Sequence, residues 1–320
     1  MEPVIPSQWQ PDIGNLMASC NLCPRGCHAD RSGGKLGRCH ENAEVRIARA
    51  SLHMWEEPCI SGEEGSGTVF FSGCPLGCVY CQNHNIADGS NGQVITVQEL
   101  TEVFLKLQKR GANNINLVTP TQFVPQITDA LRAAKKAGLH LPIVYNTSSY
   151  ERVPAIDLMD DLVDIYLPDL KYLDPELSTR YSGAEDYVTA AKWAIHAMFD
   201  QVGEPVFDDR GMMKRGVIVR HMVLPGCIED SKRIIKYLWD TYGNDIWVSI
   251  MSQYTPLPEL VAEKYPELNR RVSWDEYNEV VDYAADLGMT QAFVQEEESA
   301  KESFIPDFEN FDVQEFLLDM

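Results

Sequence analysis

Between residues 67 and 294, short apolar runs alternate with longer stretches whose apolar positions recur at helical spacing. Six runs predict strands: 68–72 (TVFFS), 115–119 (INLVT), 142–146 (PIVYN), 163–169 (VDIYLPD), 217–223 (VIVRHMV) and 246–251 (IWVSIM). Each is short and rich in branched or aromatic residues, as strands covered on both faces are. Helices are predicted between them. Thr96 with Glu99 reads as a capping box, and Gly111 closes that helix. Ile127, Leu131 and Ala134 share one stripe over 123–137, ahead of Gly138. Further helices fall at 185–201, at 229–242, and from Ser273 with Glu276 to near Gly288. Such alternation implies a parallel sheet with right-handed crossovers. The fold class expected is therefore α/β, a partial (β/α)6 TIM-like barrel. Residues 1–66 form a Cys-, Gly- and Pro-rich N-terminal extension. Residues 295–320 are acidic but carry Phe304, Ile305, Phe308 and Phe311, so that segment is expected to pack on the barrel.

Charge narrows the function. Of 320 residues, 27 are Lys or Arg and 48 are Asp or Glu, a formal charge of −21. A surface this acidic repels a phosphate backbone, so no nucleic-acid partner is expected. No apolar run approaches membrane-spanning length, so no membrane partner is expected either. The start, MEPVIPSQWQPD, lacks the basic and apolar regions of a secretory signal. A cytoplasmic location is the expectation.

Nine cysteines change the picture most, because seven fall in two clusters. In a reducing compartment, clustered thiols read as metal ligands rather than disulfides. The first cluster is Ser72-Gly73-Cys74-Pro75-Leu76-Gly77-Cys78-Val79-Tyr80-Cys81, directly after the first predicted strand. Cys74, Cys78 and Cys81 can hold three irons of a 4Fe–4S cube and leave the fourth iron open, as catalytic metal sites require. The second cluster, Cys20, Cys23, Cys27 and Cys39, has enough donors to close a site around either zinc or a second 4Fe–4S cluster. His28 and His40 beside it are read as bystanders. Cys59 and Cys227 stand apart; Cys227 follows Pro225-Gly226, near the expected barrel mouth.

The Cys-x3-Cys-x2-Cys loop, with Tyr80 before its last cysteine, resembles the radical SAM superfamily. The N-terminal cysteines, Glu56-Glu57-Pro58, Gly65-Ser66-Gly67-Thr68 and Glu302-Ser303-Phe304-Ile305-Pro306-Asp307-Phe308 look like its uncharacterised branch similar to pyruvate formate-lyase activating enzyme. The resemblance implies an oxidoreductase with a 4Fe–4S cluster and S-adenosylmethionine (SAM) as cofactors. SAM is cleaved there to a 5′-deoxyadenosyl radical that abstracts hydrogen from a substrate. A glycyl-radical-type protein is the first substrate expected; a small molecule or peptide is the alternative. The implied electron source is a carrier such as flavodoxin or ferredoxin. Asp169-Leu170-Lys171 and Arg220 with Pro225-Gly226 are similar to SAM-contacting segments of activating enzymes. Thr119 and Thr121, Asn146 and Ser148, and Gln253 are SAM-site candidates by their places at strand ends. The chain departs from the family in having Thr119-Pro120-Thr121 where a Gly-Gly-Glu run is common, and Gln253-Tyr254 where a histidine often stands. His221 alternates to the face opposite Arg220 and is read as core. The contrasting class is a non-catalytic iron–sulfur or zinc protein for electron transfer or assembly.

Overall fold

The computed structural model describes residues 16–295, 306, 308 and 310–318. Phe304, Ile305 and the first fifteen residues lie outside the described residues. Ten strands form one mixed sheet: β1 (Val45–His53), β2 (Ser66–Phe71), β3 (Gln93–Ile95), β4 (Ile115–Val118), β5 (Ile143–Thr147), β6 (Ile165–Pro168), β7 (Val206–Phe207), β8 (Met213–Met222), β9 (Trp247–Met251) and β10 (Ala292–Phe293). Their order is β10-β9-β8-β6-β5-β4-β2-β1-β3, with β7 paired to β8. The run from β2 through β4, β5, β6, β8 and β9 to β10 is parallel. β1 is antiparallel to both β2 and β3. Among the described residues no pairing joins β10 to β3, so the sheet is a partial, unclosed barrel.

All six predicted strands are present. β8 starts four residues before the predicted run because Met213 and Arg215 pair with Phe207 and Val206 of β7. β1 lies inside the Cys-rich extension and was not legible as a strand. Its register shifts between Ile47 and Arg49, which breaks the alternation that marks a half-buried strand. The Thr96/Glu99 and Ser273/Glu276 capping boxes both form.

Alternation along the parallel strands sorts the core. Phe71, Leu117, Tyr145, Tyr166, Val219 and Ile250 face outward into the main cluster, beneath the helices. Val144, Ile165, Leu167 and Ile218 face inward, where they meet Cys59 and Ile60 of the short helix Pro58–Ser61. That helix plugs the barrel. Asn113 and Asn114 hold it by donating to the carbonyls of Ser61 and Ile60 at 2.6 and 2.7 Å. The C-terminal segment also docks: Phe308 packs edge-on to Phe70 at 5.3 Å, and Arg110 lies 4.3 Å over the Phe316 ring. No helix among the described residues is long and apolar enough to cross a membrane.

His221 is on the outer face, as its alternation predicts, and is buried. Its Nδ1 sits 2.8 Å from the Leu170 carbonyl, an acceptor only, so the proton resides on Nδ1. Nε2 lies 2.9 Å from the Ser231 hydroxyl. Burial depresses the imidazole from 6.5 to about 4. The neutral form is the folded form, so its contribution is complete above pH 6.5 and is lost as pH falls towards 4. Over that window the wild-type chain is expected to lose on the order of 3 kcal/mol more unfolding free energy than His221→Asn. Chemical denaturation at a series of pH values checks this; parallel curves for the two proteins would refute it.

Candidate active site

β2 ends at Phe71 and the chain turns sharply at Gly73 (φ +78°). A Cβ there would lie 2.5 Å from the Cys39 carbonyl oxygen, so only glycine fits. Beyond the turn, Cys74, Cys78 and Cys81 line one cavity of about 270 Å³, together with Arg38, His40 and His84. The sulfurs receive hydrogen bonds from the protein. Main-chain N–H groups of Gly77 and Leu76 serve Cys74, and that of Asn83 serves Cys81. The Ser182 hydroxyl donates to Cys78 Sγ at 3.2 Å. Behind it stand the hydroxyls of Tyr172 (3.0 Å from Ser182) and Tyr80 (2.6 Å from Tyr172), which can fall in line toward the sulfur.

Donors aimed at sulfur are what cluster-ligating thiolates require. Burial pushes the Cys74 thiol up to about 11 and that of Cys81 up to about 12, so iron binding must displace their protons. None of the nine cysteines is paired in a disulfide. Among the described residues no three Cys, His, Asp or Glu side chains are grouped to hold a single metal ion. A cube makes a different demand, one thiolate on each of several irons. The donor chemistry of the loop therefore fits a cluster.

A charged layer lies on the inner face above the apolar plug. Arg220 Nε donates to Asp169 Oδ1 at 3.0 Å, Nη1 to Glu56 Oε2 at 3.3 Å and Nη2 to Asn146 Oδ1 at 2.6 Å. Lys171 Nζ reaches Asp169 Oδ2 at 2.6 Å, and Asn116 Nδ2 reaches Glu56 Oε1 at 3.1 Å. The main chain sets this geometry: Leu170 N–H donates to the Arg220 carbonyl at 2.9 Å, which carries Asp169 alongside Arg220. Side-chain exposure is 8% for Glu56, 14% for Asp169 and 17% for Arg220.

Burial alone would raise the Asp169 carboxyl, but Arg220 and Lys171 override it and hold the group below its ordinary value. Burial wins at Glu56 and Glu57, which are raised despite the nearby Arg220. Glu57 accepts from Ser249 and keeps its buried Oε2 without a hydrogen-bond partner, as does Asn116 its Oδ1. Lys171 joins this layer to the cluster loop, since its charge is felt at Cys74, Cys78 and Cys81.

The structure thus gathers Asn146, Asp169, Lys171 and Arg220 into one layer beside the three cysteines. Thr119 borders it, with positive φ (56°) and its N–H on the Asn146 carbonyl at 2.9 Å. Thr121 is turned elsewhere: its hydroxyl donates to the buried Glu151 at 2.6 Å, a carboxylate shared with Thr147. The Ser148 carbonyl accepts from Tyr187, and the Gln253 carbonyl accepts from Gln82, which follows Cys81. Cys59 belongs to the inner apolar core, and Cys227 precedes the helix Ile228–Tyr242 in a narrow cleft it shares with Lys171. Cys20, Cys23, Cys27 and Cys39 form a group of their own. Sequence reasoning missed Glu56, Glu57, Asn116, Ser249 and Ser182 as site residues. Signals existed for three of them: the acidic pair ahead of Pro58, and the lone asparagine within the apolar run INLV.

The radical SAM superfamily profile matches residues 68–238. The chain belongs to the radical SAM superfamily, whose members are SAM-dependent radical oxidoreductases built on a 4Fe–4S cluster. An uncharacterized protein of Methanocaldococcus jannaschii is 26% identical over 280 residues, 84% of this chain and 75% of that protein. Pyruvate formate-lyase 1-activating enzyme of Escherichia coli K12 is 28% identical over 129 residues, 38% of this chain. The match spans about half of that enzyme, 51%. Pyruvate formate-lyase-activating enzyme of Clostridium pasteurianum is 25% identical over 214 residues, covering 63% of this chain and 79% of that one. Among solved structures, SuiB of Streptococcus suis bound to precursor peptide SuiA aligns with a TM-score of 0.48 at 12% identity, covering 76% of this chain and 51% of that one.

Removing one partner from an enclosed ion pair strands the other charges. Arg220→Met is therefore expected to lower the unfolding free energy of the cluster-free chain by about 3–5 kcal/mol. Denaturant titration measures it, and a loss below about 1 kcal/mol would show that the layer is solvated rather than enclosed.

Proposed function

We propose that this chain uses SAM at a cluster held by Cys74, Cys78 and Cys81 to abstract hydrogen from a glycine borne on another protein. The observation that carries the reading is the position of Lys171, bonded to Asp169 of the enclosed charged layer at 2.6 Å and within electrostatic reach of the three sulfurs on the loop. A 4Fe–4S cluster with one iron free of protein ligands supplies one-electron cleavage of the SAM sulfonium and, through it, hydrogen-atom abstraction.

The chain's own residues do the rest. N–H groups of Leu76, Gly77 and Asn83, with the Ser182 hydroxyl, stabilise the thiolate charge on the loop. Arg220 and Lys171 serve the ligand's carboxylate, and Asp169 with Glu56 and Glu57 serves its ammonium and sulfonium. Arg220 is held by three partners already, so little reorganisation accompanies ligand binding. Tyr80, Tyr172 and Tyr254 pack edge to face behind the loop and exclude water. Similarity to the pyruvate formate-lyase activating enzymes supports a protein glycine as hydrogen donor. A one-electron carrier of the flavodoxin or ferredoxin kind is the partner that chemistry needs.

The reconstituted and reduced chain, kept anaerobic with SAM, is expected to release methionine and 5′-deoxyadenosine in equal amounts. No release from a chain with intact iron would defeat the enzymatic reading. An unchanged electron paramagnetic resonance spectrum on adding SAM would point instead to a non-catalytic iron–sulfur protein. Asp169→Asn is expected to keep its iron and bind SAM about tenfold more weakly. Glycine-deuterated acceptor protein is expected to pass label into 5′-deoxyadenosine. Label arriving only from a small molecule or free peptide would overturn the substrate assignment.

A further inference from the structure

We propose that Cys20, Cys23, Cys27 and Cys39 bind a second 4Fe–4S cluster, fully ligated by protein and seated against the loop that carries the first. The fold of residues 16–43 gathers these cysteines. Cys20 N–H donates to the Ala29 carbonyl at 2.9 Å and His28 N–H to the Cys20 carbonyl at 3.0 Å, so Cys23 and Cys27 lie on the turn between. Cys39 arrives from a second turn and lies within electrostatic reach of Cys20, Cys23 and Cys27. A Cβ on Gly37 would stand 3.2 Å from the Cys39 sulfur and 3.6 Å from the Cys27 sulfur, so these two sulfurs are neighbours across a glycine.

The surroundings call for negative sulfur. Arg31 is 1% exposed. Its guanidinium donates to the carbonyls of Glu41 (3.1 Å) and Asn42 (2.6 Å), and its Nη1 lies 3.6 Å from Cys20 Sγ. Arginine stays charged in proteins, and a buried cation is costly without an anion facing it. The raised carboxyl of Glu41 is one partner within its reach; four protonated thiols add no negative charge, and four thiolates on a metal centre do. Arg152 stands on the Cys20 and Cys23 side of the group. Main-chain N–H groups of Arg25 and Glu41 donate to the sulfurs of Cys23 and Cys39, the pattern already seen on the first loop.

Zinc would draw four sulfurs around one point at about 2.3 Å. A cube takes one thiolate per iron and, unlike zinc, exchanges electrons with a neighbouring cluster. The sites also adjoin. Arg25, between Cys23 and Cys27, donates to the carbonyls of Pro75 (2.9 Å), Leu76 (2.8 Å), Ser182 (2.7 Å) and Gly183. The Cys39 carbonyl packs on Gly73, and Arg38 and His40 on either side of Cys39 line the first cavity.

Iron, acid-labile sulfide and zinc are to be counted per full chain after anaerobic reconstitution. The expectation is about eight irons, about eight sulfides and no zinc, falling to about four irons in Cys74→Ala/Cys78→Ala/Cys81→Ala and in Cys20→Ala/Cys23→Ala. The triple variant is expected to keep a 4Fe–4S Mössbauer signature that SAM does not alter. Four irons with one zinc, or four irons and no further metal, in the wild-type chain would overturn the proposal. So would a triple variant that is folded by circular dichroism and holds no iron. The wild-type metal count requires no variant, so it decides the matter even if either variant misfolds. Failure of SAM cleavage with eight irons present would bear on the proposed function alone.

Discussion

Five charged side chains placed on the inside of a sheet are the constraint around which this protein is built. Glu56, Glu57 and Asp169 face Arg220 and Lys171 in space where full hydration is denied. Such a group persists only if each charge meets its opposite with good geometry. The parallel sheet meets that demand through register for Asp169 and Arg220, Lys171 and Glu56 complete the ion pairs, and Glu57 keeps its Oε2 unpartnered. Asp169 bridges to Arg220 across β6 and β8, Asn146 comes from β5, and Asn116 comes from β4. Glu56 enters from outside the parallel run, on the segment between β1 and the plug helix. The layer has an apolar floor beneath it, and Lys171 carries its charge to the cysteine loop.

A second constraint ties the N-terminal segment to the cluster loop. Arg25 gathers carbonyls from the loop (Pro75, Leu76) and from the end of the helix Pro175–Ser182 (Ser182, Gly183). The same helix end supplies the Ser182 hydroxyl to the Cys78 sulfur. One guanidinium therefore fixes the position of a loop and of the donor that serves it. The Cys-rich extension is part of the site's architecture rather than an appendage, since its Cys39 carbonyl also dictates glycine at position 73.

Much of this could be read from the chain. Cys74, Cys78 and Cys81 were legible because ligands on one short loop must be close whatever the fold. Asp169, Lys171 and Arg220 were legible through their resemblance to SAM-contacting segments of activating enzymes, and His221 as the residue alternating away from Arg220. Thr121 looked equivalent to Thr119 by position, yet it sends its hydroxyl to Glu151 on the outer face. Glu56 and Glu57 carried part of the family resemblance but were not legible as site residues, because nothing local says that a segment before β2 turns inside the barrel. β1 escaped because its register shift hides the period of two.

The sequence by itself determined the alternating α/β pattern, the caps of its helices and the three-thiol loop, because each depends on residues within a few positions of one another. Tertiary structure alone decided which polar groups share the inner layer and that two cysteine groups stand side by side. Those facts depend on strand order and on the path of the N-terminal segment. Contacts separated by a hundred or more residues are set by packing as a whole, and no local pattern encodes them.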